Sequence, residues 1–214
     1  MYINITKKHL MTFSIIVGII ITFILSGKEQ NPADELQSSI AEKVIRFHVL
    51  ANSDSEEDQA LKLKVKEAVV TYLNPYMTNS ENLDDSRKIL LEHNDEIIEI
   101  AKSIISDEGY SYNVTAGFST DYFPTKSYGD VTLPAGDYTA YRIEIGEHNG
   151  KNWWCILYPP LCFVDATYGV LPDESKALLK NVLDEDEFNA VTGNISSDNT
   201  KFQFKYLKFL NNVF

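Results

Sequence analysis

Two cysteines, four histidines and thirty-one acidic residues supply the groups in this chain that could do chemistry. Cys155 and Cys162 are both in the block Asn152-Trp153-Trp154-Cys155-Ile156-Leu157-Tyr158-Pro159-Pro160-Leu161-Cys162-Phe163, which also holds both tryptophans of the chain. A thiol nucleophile needs a nearby base and a depressed pKa. His48 or His148 could serve either cysteine, but no short catalytic signature surrounds them. Each cysteine also has the other as a partner. A straight strand would hold them about 23 Å apart, at ~3.3 Å per residue. A disulfide therefore requires the Tyr158-Pro159-Pro160 stretch to bend and bring the Cα atoms within about 4.4–6.8 Å.

The remaining groups give weaker signals. His9, His48, His93 and His148 are widely spread, and no His-x-x-x-His or Cys-x-x-Cys spacing occurs. No metal or cofactor site is expected. Asp54-Ser55-Glu56-Glu57-Asp58 resembles half of a calcium loop without the glycine at the sixth position. It reads better as an acidic first helical turn. Asp184-Glu185-Asp186-Glu187 reads as a solvated helix face. There is neither a G-x-S-x-G elbow nor a P-loop. Phe123-Pro124-Thr125-Lys126-Ser127-Tyr128-Gly129 is a different kind of signal. It holds two further aromatics and a lone cation between two strands, where recognition loops are common.

The N-terminus suggests the compartment. Lys7-Lys8-His9 precedes residues 10–25, which carry no charge and are mostly apolar. That length falls between a signal-peptide core and a full membrane span. We read residues 1–27 as a signal peptide or membrane anchor, with the following chain outside. From Glu29 onward there are sixteen basic and thirty-one acidic residues, a formal charge of −15. Such a charge repels nucleic acid and anionic lipid surfaces but not a protein partner or a cationic surface. Two cysteines in an exported chain suggest one disulfide.

The elements that must position these residues follow from periodicity. Residues 28–41 read as a linker and residues 42–214 as one domain. Residues 44–50 read as a strand. A helix follows from a Ser53–Glu56 capping box to about Leu73, stopped by Asn74-Pro75. A second helix runs from Asp84 or Asp85 to Gly109 on a broad apolar stripe. Strands are expected at Tyr110–Phe118, Tyr128–Leu133, Asp137–Ile145 and Lys151–Tyr158. Asn149-Gly150 is a strong hairpin signal between the last two, so the middle reads as an antiparallel meander. A third helix opens at Pro172 and runs to about Phe188. Lys201–Leu210 is a final strand or a short helix. The sum is a single α+β domain with about three helices, preceded by an export segment.

Several blocks together resemble the stage II sporulation protein R family. They are Arg46-Phe47-His48-Val49-Leu50-Ala51-Asn52-Ser53-Asp54-Ser55, then Phe123 through Gly129, then Leu133-Pro134-Ala135-Gly136-Asp137-Tyr138, and finally the Trp153–Cys162 block. Their order suits the family over roughly residues 40–168. The resemblance implies a protein made in the forespore and exported to the space between the forespore and mother-cell membranes. It implies a signal, with no catalytic residues of its own. That signal triggers a membrane-embedded aspartic protease of the mother cell, which processes pro-sigma factor E. The alternative is an exported hydrolase acting on cell wall or protein through Cys155 or a carboxylate. On the signalling reading, the partner surface should include Phe123, Lys126, Tyr128, Trp153, Trp154, Pro159 and Pro160. Adjacent strand residues face opposite ways, so one tryptophan should face the core and the other the partner.

Overall fold

The β-branched run after Val44 forms strand β1 (Ile45–Leu50), and all six of its residues are buried. In this computed structural model the described residues are 12–19, 32–162 and 170–193. The chain divides into two compact units, Met1–Glu35 and Leu36–Phe214. In the first, residues 12–19 form a helix, α1, whose side chains are mostly exposed. No helix among the described residues is long and apolar enough to cross a membrane. The remainder of the apolar stretch 10–25 lies outside the described residues, as does Lys201–Leu210.

The elements of the chain after α1 are α2 (Pro32–Lys43), β1, α3 (Glu56–Thr78), α4 (Leu83–Glu92), α5 (Asn94–Asp107), β2 (Val114–Phe123), β3 (Lys126–Tyr128), β4 (Val131–Leu133), β5 (Gly136–Ile145), β6 (Asn152–Tyr158), α6 (Asp173–Val182) and α7 (Glu185–Val191). The α+β class is as expected, but seven helices form among the described residues where about three were expected. The stretch read as a linker enters helix α2 at Pro32.

The main sheet has the order β2-β5-β1-β6. β5 and β6 are therefore not a hairpin, and the expected meander is replaced by a mixed sheet. β1 lies between them, parallel to β5 and antiparallel to β6. The Asn149-Gly150 turn crosses over the end of β1 instead. The Asn149 amide donates to the Asn52 carbonyl at 3.2 Å, and the Gly150 amide to the Ala51 carbonyl at 3.0 Å. A Cβ on residue 150 would lie 2.2 Å from the Ser53 carbonyl oxygen, so this crossing needs glycine.

Both sheet faces are covered, which explains the uniform burial of β1. Ile45, Phe47 and Val49 join Leu61, Val65, Val69, Leu90 and Ile97 of α3–α5 in one core. On the other face Phe123, Tyr138, Ala140 and Ile156 pack with Ile40 of α2, Val131 and Leu133 of the β3–β4 hairpin, Leu179 of α6 and Val191 of α7.

Local chemistry sets the helix ends. Ser55, rather than Ser53, caps α3, accepting from the Asp58 amide at 3.1 Å. Pro75 lies inside α3, which runs on to Thr78. The stripe expected as one helix breaks at His93. There the ring packs 4.1 Å from Tyr76 and its Nδ1 lies 2.7 Å from the Tyr72 hydroxyl. The third expected helix is two. Asp184 starts α7 through a capping box with Glu187. Glu187 is therefore not on a solvated face. It is 4% exposed and pairs with Lys43 of α2 at 2.7 Å.

Gly150→Ala forces the crossing turn off the end of β1. It should lower unfolding free energy by about 1–3 kcal/mol, the range for overpacking. Urea unfolding at parental stability would contradict the crossing geometry.

Candidate functional site

β1 is buried on both faces, yet its sequence alternates apolar with polar. Arg46 and His48 occupy the face away from α3–α5, and the register sets their neighbours. Across that face, Gly117 of β2, Arg142 of β5, His48 and Trp154 of β6 form one row. Ser119, Ala140, Arg46 and Ile156 form the next.

Arg46 is fully buried. Its guanidinium carbon lies 4.2 Å from the centroid of Phe123, 4.9 Å from that of Tyr138 and 5.8 Å from that of Tyr128. Its Nη2 donates to the Tyr128 hydroxyl at 2.9 Å, and Nε to the Cys155 carbonyl at 3.3 Å. No carboxylate pairs with it among the described residues. Burial draws its pKa below the ordinary arginine value, and Tyr128 and Tyr138 partly offset that. A desolvated cation over aromatic faces gains about 2 kcal/mol or more. This ring cage stands where a counter-ion would otherwise be needed.

His48 is 2% exposed. Its Nε2 is 3.0 Å from Asp121 Oδ2, and its ring stacks on Trp154 at 5.1 Å and 17°. The small Ala140 lies between, letting the imidazole reach across β5 to β2. Asp121 also takes the Ser119 hydroxyl and Arg142 Nη1, the latter at 3.1 Å. Arg142 pairs next with Glu144, which accepts the Thr115 hydroxyl at 2.8 Å. Burial depresses the pKa of His48 despite Asp121 beside it. The ring is therefore neutral near pH 7, and its Nε2–H donates a hydrogen bond to the Asp121 carboxylate. Burial opposes ionisation of Asp121, but the Ser119 hydrogen bond and the charges around it prevail, so its pKa is lowered. Glu144 is lowered in the same way by Thr115 and Arg142, against its burial.

The order of these contacts decides what they can do. Ser119 donates to Asp121 and not to His48, so the imidazole is not placed to take a proton from that hydroxyl. A nucleophile–base relay needs the imidazole in the middle. Cys155 and Cys162 form a disulfide with Cα atoms 5.5 Å apart. The bend that the sequence required is present, with the Leu161 and Cys162 amides both donating to the Ile156 carbonyl, at 3.2 and 3.1 Å. Neither thiol is free. No cluster of three or more metal-ligating side chains occurs among the described residues.

The residues expected as a partner surface divide into groups. Phe123 is fully buried and Pro159 is buried, so both contribute packing rather than contact area. Tyr128 is half-buried and bonds Arg46. The Lys126 ammonium lies 5.9 Å above Trp154. The structure thus gathers Phe123, Lys126, Tyr128 and Trp154 around Arg46 and His48. Trp153 is on the opposite face, edge-on to Phe47 at 5.9 Å and with Lys66 5.0 Å above it. The two tryptophans do point opposite ways, but both faces are covered and each is half-buried. Pro160, also half-buried, lies at the bend. Sequence reasoning gave no site role to Arg46, Asp121 and Arg142 and weighed His48 only as a base for a thiol or as a metal ligand. The available signal was two polar residues within a strand otherwise fit for a core.

A search of protein families matches residues 41–168 to stage II sporulation protein R. The chain is also 35% identical over 167 residues to the stage II sporulation protein R of Bacillus subtilis (strain 168), covering 74% of this chain and 75% of that protein. The chain belongs to the stage II sporulation protein R family. Its role is in sporulation. Arg46, His48, Asp121, Arg142 and both cysteines all fall within the matched span of that family. No solved structure matches the chain.

The buried imidazole sets a pH dependence. An unfolded histidine titrates near about 6.5 and an unfolded aspartate near about 3.9. Both groups are lowered in the folded state. Below each unfolded value, the unfolded chain takes a proton that the folded chain resists. Each contribution is full above that value and is lost as pH falls through the window below it. Stability should drop between pH 7 and 5 through His48 and again in stronger acid through Asp121. In His48→Gln the first drop should shrink; urea midpoints with the full drop retained would contradict this account.

Arg46 gives a second test. Arg46→Met keeps an apolar stem among the three rings. Arg46→Lys puts a compact, strongly hydrated charge there without the planar fork. The lysine variant should be the less stable by roughly 1–3 kcal/mol, the cost of poorly satisfied buried polar groups. Thermal unfolding of the pair in the reverse order would show that charge, not ring packing, holds Arg46.

Proposed function

We propose that the chain is an intercompartmental signal of sporulation. It is exported from the forespore into the space between the two membranes. There it activates the membrane-embedded aspartic protease of the mother cell, leading to processing of pro-sigma factor E. The observation that carries this reading is the family match over residues 41–168, with 35% identity to a curated relative. Three features of the chain agree with it. A formal charge of −12 favours a protein partner over nucleic acid or anionic lipid. The disulfide suits an oxidising, exported setting. In the buried network the Ser119 hydroxyl donates to Asp121 and no imidazole stands between nucleophile and acid, which fits a binding module better than the hydrolase alternative.

The partner surface in this reading centres on Lys126 and Trp154. An ammonium above an indole offers a flat, amphipathic contact with little entropy to lose on binding. The test is reconstitution. The chain, the protease and pro-sigma factor E are co-expressed in a heterologous host, and processing is followed by immunoblot. Processing that needs the exported chain supports the reading, and processing without it overturns it. Lys126→Glu should reduce processing about tenfold or more, equivalent to ~1.4 kcal/mol of binding, at unchanged Tm. Normal processing by that variant would move the surface elsewhere.

A further inference from the structure

We propose that the outer edge of β2 is a docking strand, onto which the partner protein adds an extended segment bearing a lysine or arginine. This rests on the signalling reading above and names the mode of recognition. β2 is ten residues long and lies at one end of the sheet. It pairs with β5 from Val114↔Ile145 to Phe123↔Gly136 without a register shift. Natural edge strands are usually short, bulged, or guarded by proline or lysine. β2 is long and unbulged and has no proline or lysine, so its one guard is an inward-pointing charge. The charge it does carry, Asp121, is turned inward to His48 and Arg142. Between Thr115 and Tyr122 no residue is buried.

The phase of the ladder identifies the backbone groups that no other described strand takes up. The Gly146 amide donates to the Asn113 carbonyl at 2.8 Å, one step beyond the Val114↔Ile145 pair. In an antiparallel ladder, hydrogen-bonded pairs alternate with non-bonded ones. Odd-numbered residues from 115 to 123 therefore bond β5, and the amides and carbonyls of Ala116, Phe118, Thr120 and Tyr122 point outward. Four donors and four acceptors in one row are the template for strand addition.

A side-chain slot accompanies the row. An open groove of about 250 Å³ runs along this edge, lined by Thr115, Gly117, Ser119, Arg142 and Glu144 among others. A Cβ at Gly117 would meet no atom within 4 Å. Charge selects the occupant. β2 and its paired residues carry three carboxylates, Asp121, Asp137 and Glu144. Against them stand Arg142 and, over Phe118 on the other face, Arg87 at 5.2 Å. The excess is negative, as is the whole chain at −12. A second copy would bring the same carboxylates together. A basic strand from a different protein complements them.

The test uses the full chain and the exposed domain of the protease. Thr120→Pro removes an outward amide without removing a ladder bond, and proline is tolerated on an edge. Thr120→Lys is the second variant, adding an edge cation with no backbone constraint. Binding is measured by titration calorimetry, and amide hydrogen exchange by mass spectrometry, with and without the protease domain. Expected is at least tenfold weaker binding for both variants at parental Tm, with exchange in residues 114–123 slowed in the complex. If the parent binds, but both folded variants bind equally well and exchange in this strand is unchanged, the docking strand is overturned and the signalling reading stands. If the parent does not bind the protease domain at all, both fail. A concentration-dependent dimer abolished by Thr120→Lys would show that the occupant is a second copy and overturn the assignment to a partner.

Discussion

Burial of β1 on both faces is the constraint on which the rest of this structure depends. A strand between two neighbours, covered by helices on one side and by helices and a hairpin on the other, sees no water. Its backbone groups are satisfied by β5 and β6. Its polar side chains must be satisfied by whatever the two covering layers and adjacent strands provide. Arg46 takes the rings of Phe123 and Tyr138 from its own sheet and the ring and hydroxyl of Tyr128 from the hairpin above it, and His48 takes a carboxylate from two strands away. Tyr128 carries the β3–β4 hairpin onto the sheet through this contact. Asp121 ties the edge strand to the centre through the other. These polar contacts join elements far apart in sequence and fix their register.

The mixed sheet follows from the same insertion. Placing β1 between β5 and β6 separates two strands that a short turn connects, so the turn must climb over the end of β1. Gly150 permits the close approach to Ser53. The strand then has apolar contacts on both faces. Trp153 meets Phe47 on one side and Trp154 meets His48 on the other. Adjacent tryptophans on one strand thus report both layers, and neither is wholly free.

Much of this was legible in the sequence, and the failures have physical causes. Alternation and helical spacing identify strand and helix types because they reflect which side chains each element can bury. They carry no information on which strand lies beside which. Asn149-Gly150 is a valid turn signal, yet a turn specifies only local backbone, and the long-range pairing of β1 overrode the hairpin. The break at His93 has no glycine or proline to mark it. It is held by ring contacts with Tyr72 and Tyr76, and these exist only in the folded chain. Pro75 signals a stop that α3 does not obey. The disulfide was legible because a short loop with a proline bend constrains both ends. Arg46, Asp121 and Arg142 were not, since their meaning comes from register across three strands.

The satisfaction of β1 also shapes the sheet's two edges. At one edge β6 ends in the proline bend, its last turns held by the disulfide and by the Ile156 carbonyl, and Cys155, Ile156 and Leu157 are buried. At the other edge β2 is held from the inside. Asp121 grips His48 and Arg142, and Thr115 reaches Glu144, so inward side chains help hold β2 in register over ten residues. None of those contacts uses the backbone groups that point away from β5. A strand fixed by its side chains can keep its outer amides and carbonyls open while remaining ordered. That combination is costly for a protein with no partner, because an open ordered edge invites aggregation. It is coherent with the proposed role of a bound signal, on a chain whose formal charge of −12 opposes self-association.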